Sequence, residues 1–339
     1  MPPEARLLSL GTHLPGAALD NAALAERLGV SADALLESTC VRARHYAGEG
    51  EGPSALAQHA AEQALAGAGV TVDDLSLIVF ATATPDVTFP GSACFLQDKL
   101  SAGTVGAIDI RAQSAGFIAG LDLAIAFSSV PGSVAGTGGG PSHVMVASGE
   151  VFSSGLDESP RGRELTSRLA DGAAVGIVGR SDEGARVAAL RWHTDGSLAE
   201  QFWCEYPASG RYPLRIMAED LEAGLHYPTA DLSALAPVVQ TRLGEVAREV
   251  LDEAGWSADS LEVAIIDYIE PRVARAAAAG LGLDDARIDV PTESFGHVMS
   301  AGLPLRLADW ESRLAPGARV LLAAAGPGLA WGAVALELG

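Results

Sequence analysis

The chain repeats part of itself, and an internal duplication restricts its possible folds more than any single motif does. Ala68-Gly69-Val70-Thr71-Val72-Asp73-Asp74-Leu75 runs on into Ser76-Leu77-Ile78-Val79-Phe80, after a helical run that begins near Ser54. Ala254-Gly255-Trp256-Ser257-Ala258-Asp259-Ser260-Leu261 runs on into Glu262-Val263-Ala264-Ile265-Ile266, after a similar run from about Leu235. Both copies read as an amphipathic helix, a short turn and a buried apolar strand. At the same offset Ser114-Ala115-Gly116 returns as Ser300-Ala301-Gly302, each opening a helix. Two matched pairs in one register predict a duplicated α/β unit.

Further strands are predicted at Ala107 to Ile110, His143 to Ala147, Ala173 to Val178 and Val320 to Ala324. Strands alternating with helices predict a mainly parallel sheet covered on both faces. Two such halves, 1–180 and 181–339, give an α/β/α/β/α arrangement with its division near Gly179 to Gly184. Of the 339 residues 48% are hydrophobic but only 5% are aromatic, so small aliphatic side chains must fill the layers. Pro131 to Pro141 reads as a surface linker. Its Gly136-Thr137-Gly138-Gly139-Gly140 lacks the Lys-Ser/Thr and helix start of a phosphate cradle.

The formal charge is −21, from 43 acids against 22 bases, with Lys99 the single lysine. Such a surface repels nucleic acid and anionic membranes. No apolar stretch is long enough to cross a bilayer, and Met1 to Leu10 lacks a signal-peptide pattern, so a cytoplasmic location is expected. Cys40, Cys94 and Cys204 have neither zinc nor disulfide spacing, and His13, His45, His59, His143 and His226 have no metal-ligand spacing. No metal or cofactor is expected.

Asp109-Ile110-Arg111-Ala112-Gln113-Ser114-Ala115-Gly116-Phe117 runs from a strand end into an apolar helix. At such a corner backbone N–H groups and the helix dipole stabilise an anion, which suits a nucleophile that builds an oxyanion. A serine there is also a common helix cap. The segment resembles the nucleophile segment of the ketoacyl-acyl carrier protein synthase III family, which has a thiolase-like fold. Thr39-Cys40-Val41-Arg42-Ala43-Arg44 resembles that family's Thr-Gly-Ile-Arg-x-Arg. Ala83-Thr84-Pro85-Asp86 with Phe89-Pro90, Asp171-Gly172-Ala173 and Gly326-Pro327-Gly328-Leu329-Ala330-Trp331-Gly332 resemble three further family segments.

The resemblance implies a nucleophile at Ser114, where the family has Cys. Its catalytic His falls on Asp267, in Asp267-Tyr268-Ile269-Glu270-Pro271-Arg272, and its catalytic Asn on His297. Decarboxylative condensation needs two neutral donors around an enolate, and a carboxylate at one of them opposes it. A serine needs a general base, which His297 can be, with Asp267 orienting the ring. Ser114, His297 and Asp267 together therefore suit acyl transfer, with Glu270 a reserve orienter and His193 a strand-end residue. The resemblance further implies an oxyanion hole from the N–H of Ser114 and the C-terminal turn. Pro327 has no N–H, which leaves Gly328 as that second donor.

The family's adenine-stacking Trp is Ala34 here, while its coenzyme A arginine remains as Arg161. Its carrier-docking arginine remains as Arg272, with Arg275 one turn on. Phe89 stands where the family reaches across a homodimer into the partner's pocket. The resulting expectation is an acyltransferase that takes an acyl group, of polyketide type, from an acyl carrier protein thioester or acyl-CoA. The group passes through Ser114 to a small-molecule hydroxyl or amine in a secondary-metabolite pathway. Alternatives are a starter-unit ketosynthase, a non-catalytic carrier-protein partner and, last, a serine hydrolase, whose Gly-x-Ser-x-Gly elbow Ala112 breaks.

Overall fold

The computed structural model describes residues 4–129 and 143–339, so the linker read at Pro131 to Pro141 lies outside the described residues. Ten strands make the main sheet: β1 (Ala5–His13), β2 (Leu75–Ala81), β3 (Gly106–Ile110), β4 (His143–Glu150), β5 (Gly172–Arg180), β6 (Ala185–Thr194), β7 (Val263–Asp267), β8 (Ile288–Asp289), β9 (Arg319–Gly326) and β10 (Ala330–Glu337). Six helices cover it: α1 (Pro53–Ala68), α2 (Ser92–Lys99), α3 (Gly116–Ser129), α4 (Leu232–Ala254), α5 (Pro271–Ala279) and α6 (Gly302–Glu311).

The strand order is β8-β7-β9-β10-β6-β1-β5-β4-β2-β3. Outward from the central β6–β1 pair, the two arms repeat the same order and the same pairing sense. Strands β2, β3 and β4 are mutually parallel, as are β7, β8 and β9, while β1 with β5 and β6 with β10 close each arm antiparallel. Within the sheet, among the described residues, the arms pair only through Arg6 with Arg186 and Leu7 with Ala185. The duplication is therefore topological as well as sequential. We propose that the chain divides at 180/181, in the turn from β5 to β6.

The expectation of a mainly parallel sheet is corrected: within the main sheet, five of the nine pairings among the described residues are antiparallel. The cause is local. Only three residues join β9 to β10, and a connection this short cannot return a strand parallel.

The repeated segment acts through backbone chemistry. Gly69 and Gly255 end α1 and α4 in the left-handed conformation, at φ 65° and 68°. The next residues then donate back into the helix, Val70 N–H to Leu65 O at 3.1 Å and Trp256 N–H to Leu251 O at 2.9 Å. A glycine suits these positions because a Cβ is penalised there.

Alternation along each strand then sorts the layers. Leu77, Val79, Val144 and Val146 face a central core with Val263, Ile265, Val320 and Leu322, around Phe117 of α3 and Leu303 of α6. Ile78, Phe80, Met145 and Ala147 face the other way, onto α1 and α2. Ala264, Ile266, Leu321 and Ala323 face α4 and α5. Five layers result, with α3 and α6 in the middle, and the candidate site lies where those two helices begin.

Candidate active site

Two matching corners meet at the middle of the molecule. Between β3 and α3, Gln113 carries φ 52° and Ser114 follows it. Between β8 and α6, Met299 carries φ 36° and Ser300 follows it. Left-handed non-glycine residues cost on the order of 1–3 kcal/mol and persist only where their surroundings hold them. The corners touch: a Cβ on Gly116 would lie 3.0 Å from the Cβ of Ser300 and 2.9 Å from that of Ala81.

The two serines have different partners. Ser300 Oγ donates to Glu150 Oε1 at 2.7 Å, beside Thr84 Oγ1 and the Ala83 N–H, each 2.9 Å from Glu150 Oε2. Burial pushes the Glu150 carboxyl upward, against the pull of those donors. At the equivalent end of β9 stands Gly326 rather than an acid. A Cβ there would lie 2.5 Å from Ser114 Oγ and 2.9 Å from Ser114 N. The bare glycine therefore leaves room for Ser114.

Ser114 Oγ lies 3.2 Å from His297 Nε2, and both residues are fully buried. His297 is held as a strand would hold it. Its N–H donates to Arg168 O at 2.8 Å and its carbonyl accepts from Ala170 N–H at 3.1 Å, with a single parallel bridge to Leu169. Asp267 ends β7, also fully buried, and its Oδ2 sits where Gly302 carries no side chain, a Cβ there coming within 2.3 Å.

The sequence predicts Asp267 as the residue that orients the His297 ring. Asp267 Oδ2 is 3.6 Å from His297 Nδ1, beyond hydrogen-bond reach. Thr292 stands between them. Its Oγ1 donates to Asp267 Oδ1 at 2.7 Å and lies 3.2 Å from His297 Nδ1. A threonine next to Pro291 at the start of the short helix Pro291–Phe295 reads as ordinary helix-start chemistry, so the sequence carried no signal for it.

Glu270 precedes α5 outside this cluster, with its Oε2 buried and unpartnered among the described residues. Burial raises its carboxyl, and Arg168 nearby opposes that. His193, near the end of β6, pairs with Glu249 at 2.9 Å on the surface. The turn after β9 brings Pro327 and Gly328 beside Gly326, and Gly328 takes φ 135°, a region that favours glycine.

The arginines are already engaged. Arg161 holds Asp157 with Nε at 3.0 Å and Nη2 at 2.9 Å, and its Nη1 donates to Ala223 O at 2.5 Å. Arg272 donates to Glu37 O. Arg275 forks onto Glu293 at 2.6 and 2.7 Å and also binds Asp285, so it anchors the helix that carries Thr292. Near Arg161 a surface cleft of about 400 Å³ runs between Ala34 and Ser38 on one side and Arg163 and Arg168 on the other. Arg168 links this cleft to the site, since its carbonyl holds His297. Phe89 is 73% exposed, with the Arg215 guanidinium 5.7 Å from its ring centroid. No helix among the described residues is long and apolar enough to cross a membrane.

Duplicated five-layer architecture, with a strand-to-helix corner opening each central helix, defines the thiolase-like class. Residues 108–196 match the family model for 3-oxoacyl-[acyl-carrier-protein] synthase III, and residues 251–338 match the model of its C-terminal part. The β-ketoacyl-[acyl-carrier-protein] synthase III of Rhizorhabdus wittichii is 32% identical over 338 residues, covering 98% of this chain and 99% of the relative. That of Sphingopyxis alaskensis is 32% identical over 340 residues, covering 99% of each. Among solved structures, the synthase III of Pseudomonas aeruginosa superposes with a TM-score of 0.85 at 28% identity, covering 99% of this chain and 98% of that one. The chain belongs to the ketoacyl-acyl carrier protein synthase III family. A priming β-ketosynthase of the R1128 polyketide pathway shares the fold, with a TM-score of 0.83 at 23% identity over 99% of this chain and 97% of that one.

The approach of Gly326 to Ser114 can be tested. Gly326→Ala is expected to lower any Ser114-dependent reaction at least tenfold and to cost about 1–3 kcal/mol of stability from overpacking. Thermal unfolding measured beside the rate checks both. An unchanged rate would mean that the corner yields.

Proposed function

We propose that the protein is an acyltransferase that carries an acyl group on Ser114. The observation that carries this reading is Ser114 Oγ facing His297 Nε2 at 3.2 Å inside a buried pair. A serine hydroxyl needs a base in contact, and this histidine is one. In the first step His297 takes the Ser114 proton while Oγ attacks a thioester carbonyl. The tetrahedral oxyanion then collapses, and the departing thiolate takes the proton from His297. In the second step His297 deprotonates an acceptor hydroxyl or amine. That group attacks the acyl-serine, and the proton returns to Ser114 Oγ as the ester or amide leaves.

The donor is an acyl carrier protein thioester or acyl-CoA, entering by the cleft beside Arg168. The Ser114 N–H and the Gly328 N–H are proposed to hold the oxyanion. Arg161 and Arg272 are proposed as rim contacts, each having to release a present partner first. Phe89, with its ring largely in solvent, is proposed to pack against a second copy in a homodimer and wall the partner's pocket. A polyketide-type acyl group, a secondary-metabolite pathway and a cytoplasmic setting complete the reading.

Decarboxylative condensation is the second reading, supported by the names of the 32%-identical relatives. Covalent loading of Ser114 is tested by offering acyl-carrier protein and acyl-CoA separately and weighing the intact chain. Wild type is expected to gain the mass of the acyl group, while Ser114→Ala gains none and loses transfer. Transfer at a normal rate by Ser114→Ala would refute the covalent step. No adduct and no transfer from either donor would favour a non-catalytic carrier-protein partner.

A further inference from the structure

We propose that Thr292 is the hydrogen-bond link through which Asp267 acts on His297, and that it holds the ring with its proton on Nδ1. A threonine hydroxyl has one proton to give and can accept elsewhere. Its contact with Asp267 Oδ1 is 2.7 Å, and a carboxylate has no proton to offer, so Thr292 donates there. With that proton spent, Thr292 Oγ1 can only accept at its second contact, 3.2 Å away at His297 Nδ1. The Nδ1 proton is thereby fixed, and the lone pair of Nε2 is left facing Ser114 Oγ.

The hydrogen bonds then run in one sense, from Ser114 O–H to Nε2 and from Nδ1–H through the Thr292 hydroxyl to Asp267. Reversing the chain would place a proton on Nε2, and Ser114 would then meet a donor instead of a base. Asp267 cannot fix the ring alone, because its nearer oxygen stands 3.6 Å from Nδ1 and has no hydrogen-bond partner among the described residues. At that distance the carboxylate still favours the imidazolium formed when Nε2 takes the Ser114 proton. No proton needs to reach Asp267.

Thr292 is well placed to set this direction. It is fully buried, and its branched Cβ restricts the hydroxyl to few rotamers. Its helix is tied down by the Arg275 fork on Glu293 and by Arg42 N–H to Glu293 O at 3.0 Å. Thr292 touches no reacting atom. It is a positioning residue.

The test reads the ring and the rate separately. In protein labelled with ¹⁵N-histidine, with the His297 signals assigned by loss in His297→Gln, the neutral ring is expected to carry its proton on Nδ1. Thr292→Val should move a substantial fraction to the Nε2–H form. It should also lower kcat about 10²-fold with KM nearly unchanged, within the range general-base catalysis supplies. Thr292→Ser should restore the Nδ1–H form and most of the rate. A wild-type ring protonated on Nε2 overturns the proposal, and this decides the matter even where Thr292→Val fails to fold. Unchanged tautomer and rate in a folded Thr292→Val overturn it as well. The kinetic arm rests on the acyl-transfer reading and the spectroscopic arm does not. A Thr292-dependent tautomer in a protein that transfers no acyl group would therefore refute that reading and uphold this one.

Discussion

Asp267→Asn is expected to lower kcat for acyl transfer by about 10⁴, the loss seen when a buried triad histidine is left in the wrong tautomer. His297→Ala should lose most of the rate, and adding Asp267→Asn to it should cost little more, because residues that act as a unit lose their contribution together. The geometry makes the asparagine especially damaging. Its amide can donate to Thr292 Oγ1, which frees the threonine proton to turn toward His297 Nδ1 and sends the ring proton to Nε2. The carboxylate that steadies the imidazolium is lost in the same change. Steady-state transfer by wild type, both single variants and the double variant measures the coupling. Fully additive losses would mean that Asp267 and His297 work independently.

Much of the architecture could be read from the chain because the repeat is built of short-range chemistry. Gly69 and Gly255 stop their helices by local conformation, and Ser114 and Ser300 open theirs after a strand. Each landmark means the same thing in both copies. Pairing sense was less legible, since it depends on connection length at strand ends such as Gly326 to Ala330, and the alternation of strands and helices hides those joins. Ser114 was legible as a corner of the repeat and His297 through the family resemblance, and the fold brings the two within 3.2 Å. Thr292 was not. Its role follows from a 2.7 Å contact across 25 residues, from a short helix to a side chain at the end of a strand. The partners of Arg161 and Arg275 were hidden for a related reason. Arg161 and Arg275 look free in the sequence, yet each is held by an acid that the fold brings to it, Asp157 and Glu293.

Wild-type protein offered malonyl-carrier protein is expected to release almost no carbon dioxide while it still transfers acyl groups to an alcohol or amine. Loss of carbon dioxide leaves an enolate whose oxygen needs donors already in place. One of the two positions where the resemblance sets those donors holds Asp267, and it presents a carboxylate. The other holds His297, whose Nε2 faces Ser114 as an acceptor when the proton sits on Nδ1. Neither group offers the enolate a proton in the resting state. Removing a single such donor costs on the order of 10² to 10³ in rate, and a negative charge beside the developing oxyanion should raise that cost. Ser114→Cys with Asp267→His and His297→Asn would restore two donors and a thiol nucleophile. Thr292 would then face a histidine instead of a carboxylate, so this triple variant is expected to regain only part of the condensing rate. Labelled carbon dioxide from malonyl-carrier protein, counted beside acyl transfer in one preparation, decides between the activities. Rapid release by wild type, coupled to a ketoacyl product, would overturn the acyltransferase reading, because a carboxylate at that position would then have proved compatible with the enolate.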